Sequence, residues 1–582
     1  MSHTSHNSHQ HSAFGDVIFV NHKGEHRLSN PVRVISASCL EEVQLCLEQV
    51  EAAVDRGLTA AGFLSYEAAG AFDRHLVTHP PSDFPLLWFG LYEPSNQGTH
   101  ADEADESFHV SPWRPLVGKE DYLAAITRIR ELIAAGDTYQ VNYTFPMEAS
   151  FEGNPLAWFG QLCRNQRTDH SVYVDAGRYK IISASPELFF RLDGESLETR
   201  PMKGTRKRGR WLEEDQALAQ ELASSEKDRA ENVMIVDLLR NDMGQISETG
   251  SVEVTRLFDV ERYQTVWQMT STIESRTRAS VSSILRALFP SGSVTGAPKV
   301  RTMQIIKELE PFPRGVYCGA IGIWQPGRKA GFNVAIRTVT VDTERGMAKY
   351  NVGGGITWGS TAQAEYEECL IKASVLTQNR PDFQLLESIL FDKDYFLLDL
   401  HLARLKASAE YFGFHVDLDA VRAQLDLNAA DYEGQKLKIR LLVARDGSFQ
   451  IEVQPVAGTI LRTVALAADP VDEQDVFLYH KTTCRDVYNC AKSARPDVDD
   501  VLLWNARGEV TESTVANVAV ELDGRWVTPP VASGLLAGTL RQHLLDAGKL
   551  QEAIVLKEDL PRATALALFN SVRQWMPVTL TK

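Results

Sequence analysis

The sequence predicts an α+β protein of two successive units, and three observations carry that expectation. At 582 residues the chain exceeds what one ordinary hydrophobic core fills. Strand-like runs, such as the apolar stretch 62–67, are mixed with helical stripes, such as Tyr122, Leu123, Ile126, Ile129, Leu132 and Ile133 closed by Gly136. A polar break around 377–382, with Pro381, interrupts the pattern. The expected organisation is a His- and Ser-rich disordered tail over 1–13, a first unit over 14–376, a linker over 377–384 and a second unit over 385–582.

With 44% hydrophobic and 24% charged residues the composition is that of a globular protein. A formal net charge of −17 argues against nucleic acid or an acidic membrane as the main partner. The chain shows no apolar run of membrane-span length and no signal-peptide core. Its seven cysteines are scattered, without a C-x-x-C pair, which fits a reducing cytoplasm and no structural zinc.

In the first unit, 96–111 reads as a loop, and 136–142 as a turn entering a strand. Strands are expected around 171–174 and 179–182. Glu187 is followed by Leu188, Phe189 and Phe190, so it is either a desolvated carboxyl able to donate a proton or a satisfied edge-strand residue. Lys203 precedes Arg206, Lys207, Arg208 and Arg210. Like charges lower a lysine's pKa, so Lys203 is either a nucleophile or part of a surface anion patch. One long helix is expected over 213–242, with Asp228 and Glu231 three apart on one face. The Gly/Ser/Pro loop 291–299, which contains Thr295, opens a helix over 300–309 whose start suits an anion. Strands are expected over 319–324 and 332–341; Arg337, inside the second, requires either a structural carboxylate or a substrate carboxylate.

The stretch 351–372 reads as strand, tight glycine turn and helix. Gly353, Gly354 and Gly355 let backbone approach a ligand, and their N–H groups can cradle an anion. Glu365, Glu368 and Lys372 project from one helix face. Either Mg²⁺ sits between the carboxylates, or this is a charge-patterned surface helix.

Taken together, the sequences at 136–142, 185–187, 201–205, 231–242, 296–299 and 353–372 resemble the chorismate-utilising enzymes, in the correct order. The resemblance implies that Glu231 and Glu368, with Asp228 and Glu365, surround Mg²⁺ on the chorismate ring carboxylate. Arg337, Lys372, Thr295 and the amides of Gly353, Gly354 and Gly355 would hold the substrate. Lysine at 203 is the form typical of aminodeoxychorismate synthase component I; anthranilate synthases carry alanine there. Lys203 is then the nucleophile and Glu187 the acid. The histidine that serves pyruvate elimination in anthranilate synthase is replaced, on this alignment, by Trp267, so the first unit should stop at the amino product.

In the second unit, 385–388 and 395–399 suggest a hairpin, followed by a helix over 401–412 carrying Arg404. Lys481 follows an apolar stretch read as a strand; alone it could be any surface lysine. Glu512 and the helix start at Gly538 and Thr539 complete a set suited to pyridoxal 5′-phosphate: an amine, a partner for the ring nitrogen, and amides for a phosphate. This half resembles class IV aminotransferases of the aminodeoxychorismate lyase type. The resemblance makes Lys481 the cofactor lysine, Glu512 the ring-nitrogen partner, Arg404, Gly538 and Thr539 the phosphate site, and Asn517 part of the wall. Cys484 and Ala537 depart from the common pattern.

The expected function is a fused two-step conversion of chorismate to 4-aminobenzoate. Ammonia would come from a separate glutamine amidotransferase, since no glutaminase elbow stands in the chain. A homodimer through the second half and a cytoplasmic location complete the expectation. The alternatives are an anthranilate synthase fused to an amino-acid aminotransferase, or one half serving as a non-catalytic interaction module.

Overall fold

The structure, a computed structural model, describes residues 14–22, 24–94, 97–98, 107–373, 376, 381–432, 434–456 and 461–581. The tail 1–13, residues 96 and 99–106 of the expected loop, and 377–380 of the expected linker lie outside the described residues. Two compact units emerge: Met1–Lys207 with Ala219–Arg380, and Arg208–Leu218 with Pro381–Lys582.

The first unit contains two sheets, of eleven and ten strands among the described residues, paired antiparallel throughout. Strand Gln140–Gly153 lies beside Met347–Ile356 in the larger sheet, and Met202–Lys207 beside Val266–Arg276 in the other. Val17, Val172 and Ile181 from one sheet meet Phe63, Trp88 and Ile321 from the other in a shared core.

Several local expectations are corrected. The three glycines are not a tight turn. They lie inside strand Met347–Ile356, where Gly353, Gly354 and Gly355 pair with Thr144, Tyr143 and Asn142, and the turn falls at 357–361. Ladder pairing with Gln140–Gly153 costs glycine its freedom, but the close approach of neighbouring groups requires it, as shown below. The expected helix over 213–242 is two helices, Leu212–Ser224 and Glu226–Gly244. Ser225 separates them because its hydroxyl accepts from the Asp228 amide (3.3 Å), an N-cap that starts a new helix. The expected strand over 332–341 is also two, Lys329–Val334 in one sheet and Thr338–Asp342 in the other. The chain crosses between sheets at Arg337, whose φ of 49° breaks the extended path. Phe108–Val110, expected as loop, pairs with the outer end of Gln140–Gly153.

Beneath these strands lies a buried charge cluster. The Arg314 guanidinium donates to Glu310 through Nε (2.9 Å) and Nη2 (2.7 Å), to the Val294 carbonyl (2.9 Å) and to the Asn142 carbonyl (2.7 Å). It sits 4.5 Å from the centre of the Tyr66 ring. Glu310 also accepts from Thr144 N (2.8 Å), while Glu67 accepts from the amides of Arg314 and Gly315. Burial is affordable here because nearly every donor is met.

The second unit has a four-stranded sheet and an eight-stranded mixed sheet, in which Thr463–Leu466 runs parallel to Asp500–Trp504. Residues 381–384 are in neither helix nor strand. The expected hairpin is present as Leu385–Asp392 with the short strand Asp394–Tyr395; the first of these also pairs along its length with Lys436–Val443, and helix Leu398–Phe412 packs on it. The stretch before Lys481 is a 3₁₀ turn, Val476–Leu478, rather than a strand. Asp475 starts it by accepting from the Phe477 amide (2.9 Å).

Arg314→Leu is expected to destabilise the first unit by about 3–5 kcal/mol, since it strands the Glu310 carboxylate in the interior. Denaturant unfolding of the first unit measures this, and adding Glu310→Leu should recover most of the loss.

Candidate active sites

The first site is a cavity of about 270 Å³ at the inner ends of the strands just described. Glu187, Lys203, Asp228, Glu231, Arg337, Gly353, Gly354, Gly355, Glu365, Glu368 and Lys372 all line it. Thr295 does not. It is fully buried and turns its hydroxyl to the Ser291 carbonyl (3.1 Å), so this predicted substrate contact is withdrawn from the wall.

Lys203 enters from strand Met202–Lys207 and reaches across to the glycine strand. A β-carbon on Gly355 would stand 2.1 Å from Lys203 Nζ, and one on Gly354 would stand 3.1 Å from Glu365 Oε2. Only bare backbone leaves room for both groups. Gly204, at φ 95°, gives the strand the bend that brings Lys203 inward; a β-carbon there would meet Asp228 Cβ at 3.0 Å.

The electrostatics separate the two lysines. Burial lowers the Lys203 pKa and the nearby Lys372 charge adds to the effect, against the pull of Glu231, Glu368 and Glu365. Lys372 is held charged despite burial, because Glu368 lies 2.8 Å from its Nζ, which also donates to the Gly353 carbonyl (2.9 Å). One amine is thus suited to nucleophilic attack and the other to anion binding. Glu187 is the matching acid: burial pushes its carboxyl up to about 7, while a hydrogen bond from Ser293 Oγ (2.5 Å) and the Lys203 charge restrain it. Among the described residues Arg337 donates to Gln166 Oε1 rather than to a structural carboxylate, one of the two partners expected for it, and burial lowers its pKa. Its charge therefore faces a polar cavity wall and suits a ligand carboxylate.

Among the described residues no cluster of three or more His, Cys, Asp and Glu side chains closes on one point as a metal cage. Mg²⁺ does not need one, because it commonly takes one or two carboxylates and shares the rest with water and an anionic ligand. Glu231 and Glu368, which both line the cavity, fit that role as hard donors, Glu368 with one oxygen already on Lys372. Glu365, raised by burial and by the Glu368 charge, is a carboxyl that a cation would relieve. Asp228 is already paired with Arg206 (2.9 Å).

Gln140 and Ser293 were missed. Gln140 is fully buried, its side-chain amide has no hydrogen-bond partner at either end, and its Nε2 would lie 2.8 Å from a β-carbon on Gly355, beside the Lys203 amine. It lies within 136–142, read as a turn entering a strand and as part of the family resemblance, and nothing in a single sequence marks an amide as unpartnered. The position assigned to Trp267 is also corrected. Gln268 lines the cavity and Trp267 does not, as the alternation of a strand demands. Gln268 accepts from Thr205 Oγ1 (2.9 Å) and donates to the Gly204 carbonyl (2.9 Å). An amide cannot serve as a base, so the expectation of no histidine base there stands on a different residue.

The second site is a cavity of about 380 Å³ lined by Arg404, Lys481, Glu512, Asn517, Gly538 and Thr539, with Lys438, Arg440, Arg485 and Arg573 adding cationic wall. Burial, helped by Arg404, pushes the Lys481 amine down to about 8. Burial pushes Glu512 up to about 8 although it accepts from Tyr488 OH (2.8 Å) and Asn517 Nδ2 (3.3 Å). A buried carboxyl so shifted lacks a cationic partner, and a protonated ring nitrogen would be one. Arg404 is bound to Glu387 (2.6 and 2.9 Å) and to the Ala537 carbonyl (3.2 Å), and Glu387 is drawn down to about 2 against its burial by Arg404 and His401. Thr539 starts helix Thr539–Asp546, and its hydroxyl is 3.2 Å from His401 Nε2. The donors thus fit pyridoxal 5′-phosphate, with part of Arg404's charge already used. Cys484 does not line this cavity.

A family profile described as chorismate binding enzyme matches residues 4–378. The chain belongs to the chorismate binding enzymes. A second profile, amino-transferase class IV, matches residues 384–581. An aminodeoxychorismate synthase of Streptomyces griseus is 44% identical over 261 residues, 44% of this chain and 36% of that protein. Aminodeoxychorismate synthase component 1 of Salmonella typhimurium is 41% identical over 267 residues, 46% of this chain and 58% of that protein. The match thus spans well under two thirds of either relative. A solved structure, anthranilate synthase component I of Streptococcus pneumoniae, superimposes with a TM-score of 0.53 at 26% identity, covering 65% of this chain and 95% of that one. This chorismate binding enzyme has no described helix long and apolar enough to cross a membrane.

Removing the Ser293 hydroxyl withdraws a hydrogen bond that favours the ionised form of Glu187. Ser293→Ala is therefore expected to raise the Glu187 titration from about 7 by roughly one unit. The pH dependence of the carboxyl infrared band that disappears in Glu187→Gln measures it.

Proposed function

We propose that this chorismate binding enzyme aminates chorismate at C4 in its first unit and eliminates pyruvate from the product in its second, yielding 4-aminobenzoate. The observation that carries the proposal is Lys203: a desolvated amine packed on Gly355, in the same cavity as a proton-bearing Glu187. A nucleophile and an acid so placed suit displacement of a hydroxyl rather than simple binding.

In the first step, neutral Lys203 attacks C2 of the ring as Glu187 gives its proton to the departing C4 hydroxyl, which leaves as water. Ammonia then adds at C4, and the bond to Lys203 breaks, returning the amine. Arg337 and Lys372 hold the substrate carboxylates, and Glu231 and Glu368 would hold Mg²⁺ on one of them, where it offsets anionic charge. Ammonia is assigned to a separate glutamine amidotransferase; the Salmonella relative carries the name component 1, which implies a further component of that enzyme.

In the second unit, the proposed base is Lys481, which takes the C4 proton while the C3–oxygen bond to pyruvate breaks. Pyridoxal 5′-phosphate, when bound, supplies the electron sink for that proton loss. Glu512 would hold its ring nitrogen, and Arg404, Gly538 and Thr539 its phosphate. Lys438, Arg440, Arg485 and Arg573 surround the same cavity, a wall that suits a substrate bearing two carboxylates better than a simple amino acid. That cationic wall weighs against an amino-acid aminotransferase, and the shifted Lys481 and Glu512 weigh against a silent module.

Mass spectrometry of products from chorismate, Mg²⁺ and ammonium is expected to find 4-aminobenzoate with pyridoxal phosphate present and 4-amino-4-deoxychorismate without it. Lys481→Ala should stop at the amino intermediate, and Lys203→Ala should lose amination at least a hundredfold while still converting supplied intermediate. Anthranilate as the product would overturn the proposal.

The pH dependence follows from the same two groups. Glu187 must be protonated, and its carboxyl titrates at about 7, so amination (kcat/KM for chorismate) falls as pH rises through about 7, approaching tenfold per unit above it. Lys203 must be neutral, so the rate also falls at low pH. Glu187→Gln should abolish the high-pH descent, leaving a lower, flatter profile.

A further inference from the structure

We propose that the stretch Arg208–Leu218, which packs within the second unit although it lies in the middle of the first unit's sequence, positions Lys481 through Arg210. Naming Lys481 the cofactor lysine rests on the function proposed above; its positioning by Arg210 does not.

Arg210 grips both residues that precede Lys481. Its carbonyl accepts from His480 Nε2 (3.1 Å), and its Nη1 donates to Tyr479 OH (3.0 Å) and to the Ala532 carbonyl (3.3 Å). Its Nη2 is anchored on Glu214 (2.8 Å), and the guanidinium lies over the rings of Trp211 (4.8 Å) and Tyr479 (5.3 Å). A carbonyl can only accept, so His480 Nε2 carries the proton and Nδ1 accepts from Ser408 Oγ (3.0 Å). Burial pushes the His480 pKa down to about 3, so the ring stays neutral and this tautomer is fixed.

The grip is braced. Tyr411 donates its hydroxyl proton to the Gly209 carbonyl (2.6 Å), and its ring lies 4.4 Å from that of His480. Arg208 donates to the Tyr411 carbonyl (2.9 Å) and to Asp215 (2.7 Å), and stands 4.5 Å over the Tyr411 ring. On its other side Lys481 is held through the backbone: its carbonyl accepts from Leu386 N (2.9 Å), and Thr483 N donates to the Gln384 carbonyl (3.0 Å). Between these ties, the residues just before it, gripped by Arg210, help to set where its side chain leaves the backbone. Arg404, Glu387, Arg485 and Glu512 are the charged groups that then set its titration.

The test uses the full chain carrying Arg210→Ala, Arg210→Lys or Gly209→Ala. A β-carbon at 209 would stand 2.2 Å from Asp215 N and 2.5 Å from Asp215 Cα, so that variant displaces the stretch without substituting any residue that lines the second cavity. Acylation of Lys481 is followed against pH by peptide mass spectrometry, without pyridoxal phosphate, alongside hydrogen exchange over 476–483. Gly209→Ala and Arg210→Ala are expected to raise the Lys481 midpoint by about one unit as water reaches the amine, a tenfold fall in neutral amine at a given pH below it. Exchange over 476–483 should accelerate, and Arg210→Lys should lie between. An unmoved Lys481 midpoint in both Arg210→Ala and Gly209→Ala overturns the proposal, whatever happens to thermal stability. Should Gly209→Ala fail to fold, the two Arg210 variants decide. A wild-type chain that binds no pyridoxal phosphate would sink the proposed function while leaving this test intact.

Discussion

The first unit depends on one buried cation. Arg314 has less than a twentieth of its surface exposed, yet it meets two carboxylate oxygens and two carbonyls and covers an aromatic ring. Its two carbonyl contacts fall on residues that matter. Asn142 lies on the strand that pairs with the glycine strand, and Val294 follows Ser293, whose hydroxyl holds Glu187. The guanidinium fork therefore fixes two walls of the cavity at once, a geometry that a lysine's single point of charge cannot reproduce. The desolvation of Arg314 is offset by Glu310, and Glu310 in turn takes the Thr144 amide, so the network is closed rather than merely paired.

Both cavities use burial in the same way. In each, desolvation lowers a lysine and raises a carboxyl, so that an amine and an acid approach their useful protonation states near neutral pH. Neighbouring charges then refine the outcome. In the first, Lys372 takes Glu368 for itself and leaves Lys203 less compensated. In the second, Glu387 is held ionised by Arg404 and His401, which leaves Glu512 as the carboxyl open to a new cation. Perturbed groups of complementary kind in one cavity are what catalysis needs, whereas a structural ion pair would have settled both in their ordinary states.

Much of this was legible in the sequence. The carboxylate ladders, Lys203, Lys481 and the glycine run could be placed because each announces itself by residue type and spacing, and all but Thr295 of the predicted residues line a cavity. What failed to show was whatever depends on partners distant in sequence. The glycine run looked like a turn because three glycines usually are one; only the pairing with Tyr143 and Thr144 makes it a strand. Arg337 sat in an unbroken apolar run, and no local signal marks the crossover between sheets. Thr295 and Ser293 are two residues apart in one loop, and only the fold decides which hydroxyl faces Glu187. The second unit's claim on Arg208–Leu218 was equally hidden, because a basic turn reads the same whichever core it joins.

The overall charge and the charge of the second cavity point in opposite directions, and the difference is informative. A net charge of −17 disfavours polyanions at the surface, where salt screens what remains within about 10 Å at 0.1 M ionic strength. Inside the second cavity the balance reverses, with Lys438, Arg440, Arg485 and Arg573 on the wall beside one carboxyl, Glu512; in the first, Arg337 and Lys372 stand among as many acidic side chains as basic ones. Enclosure keeps those charges effective, because water is scarce and the effective dielectric is lower than at the surface. A small dianion that enters gains contacts that a polymer held outside cannot reach. On the proposed function, selection by enclosure rather than by surface potential would suit this acidic chain to small carboxylate substrates, and it makes the shape of each cavity as decisive as its charge.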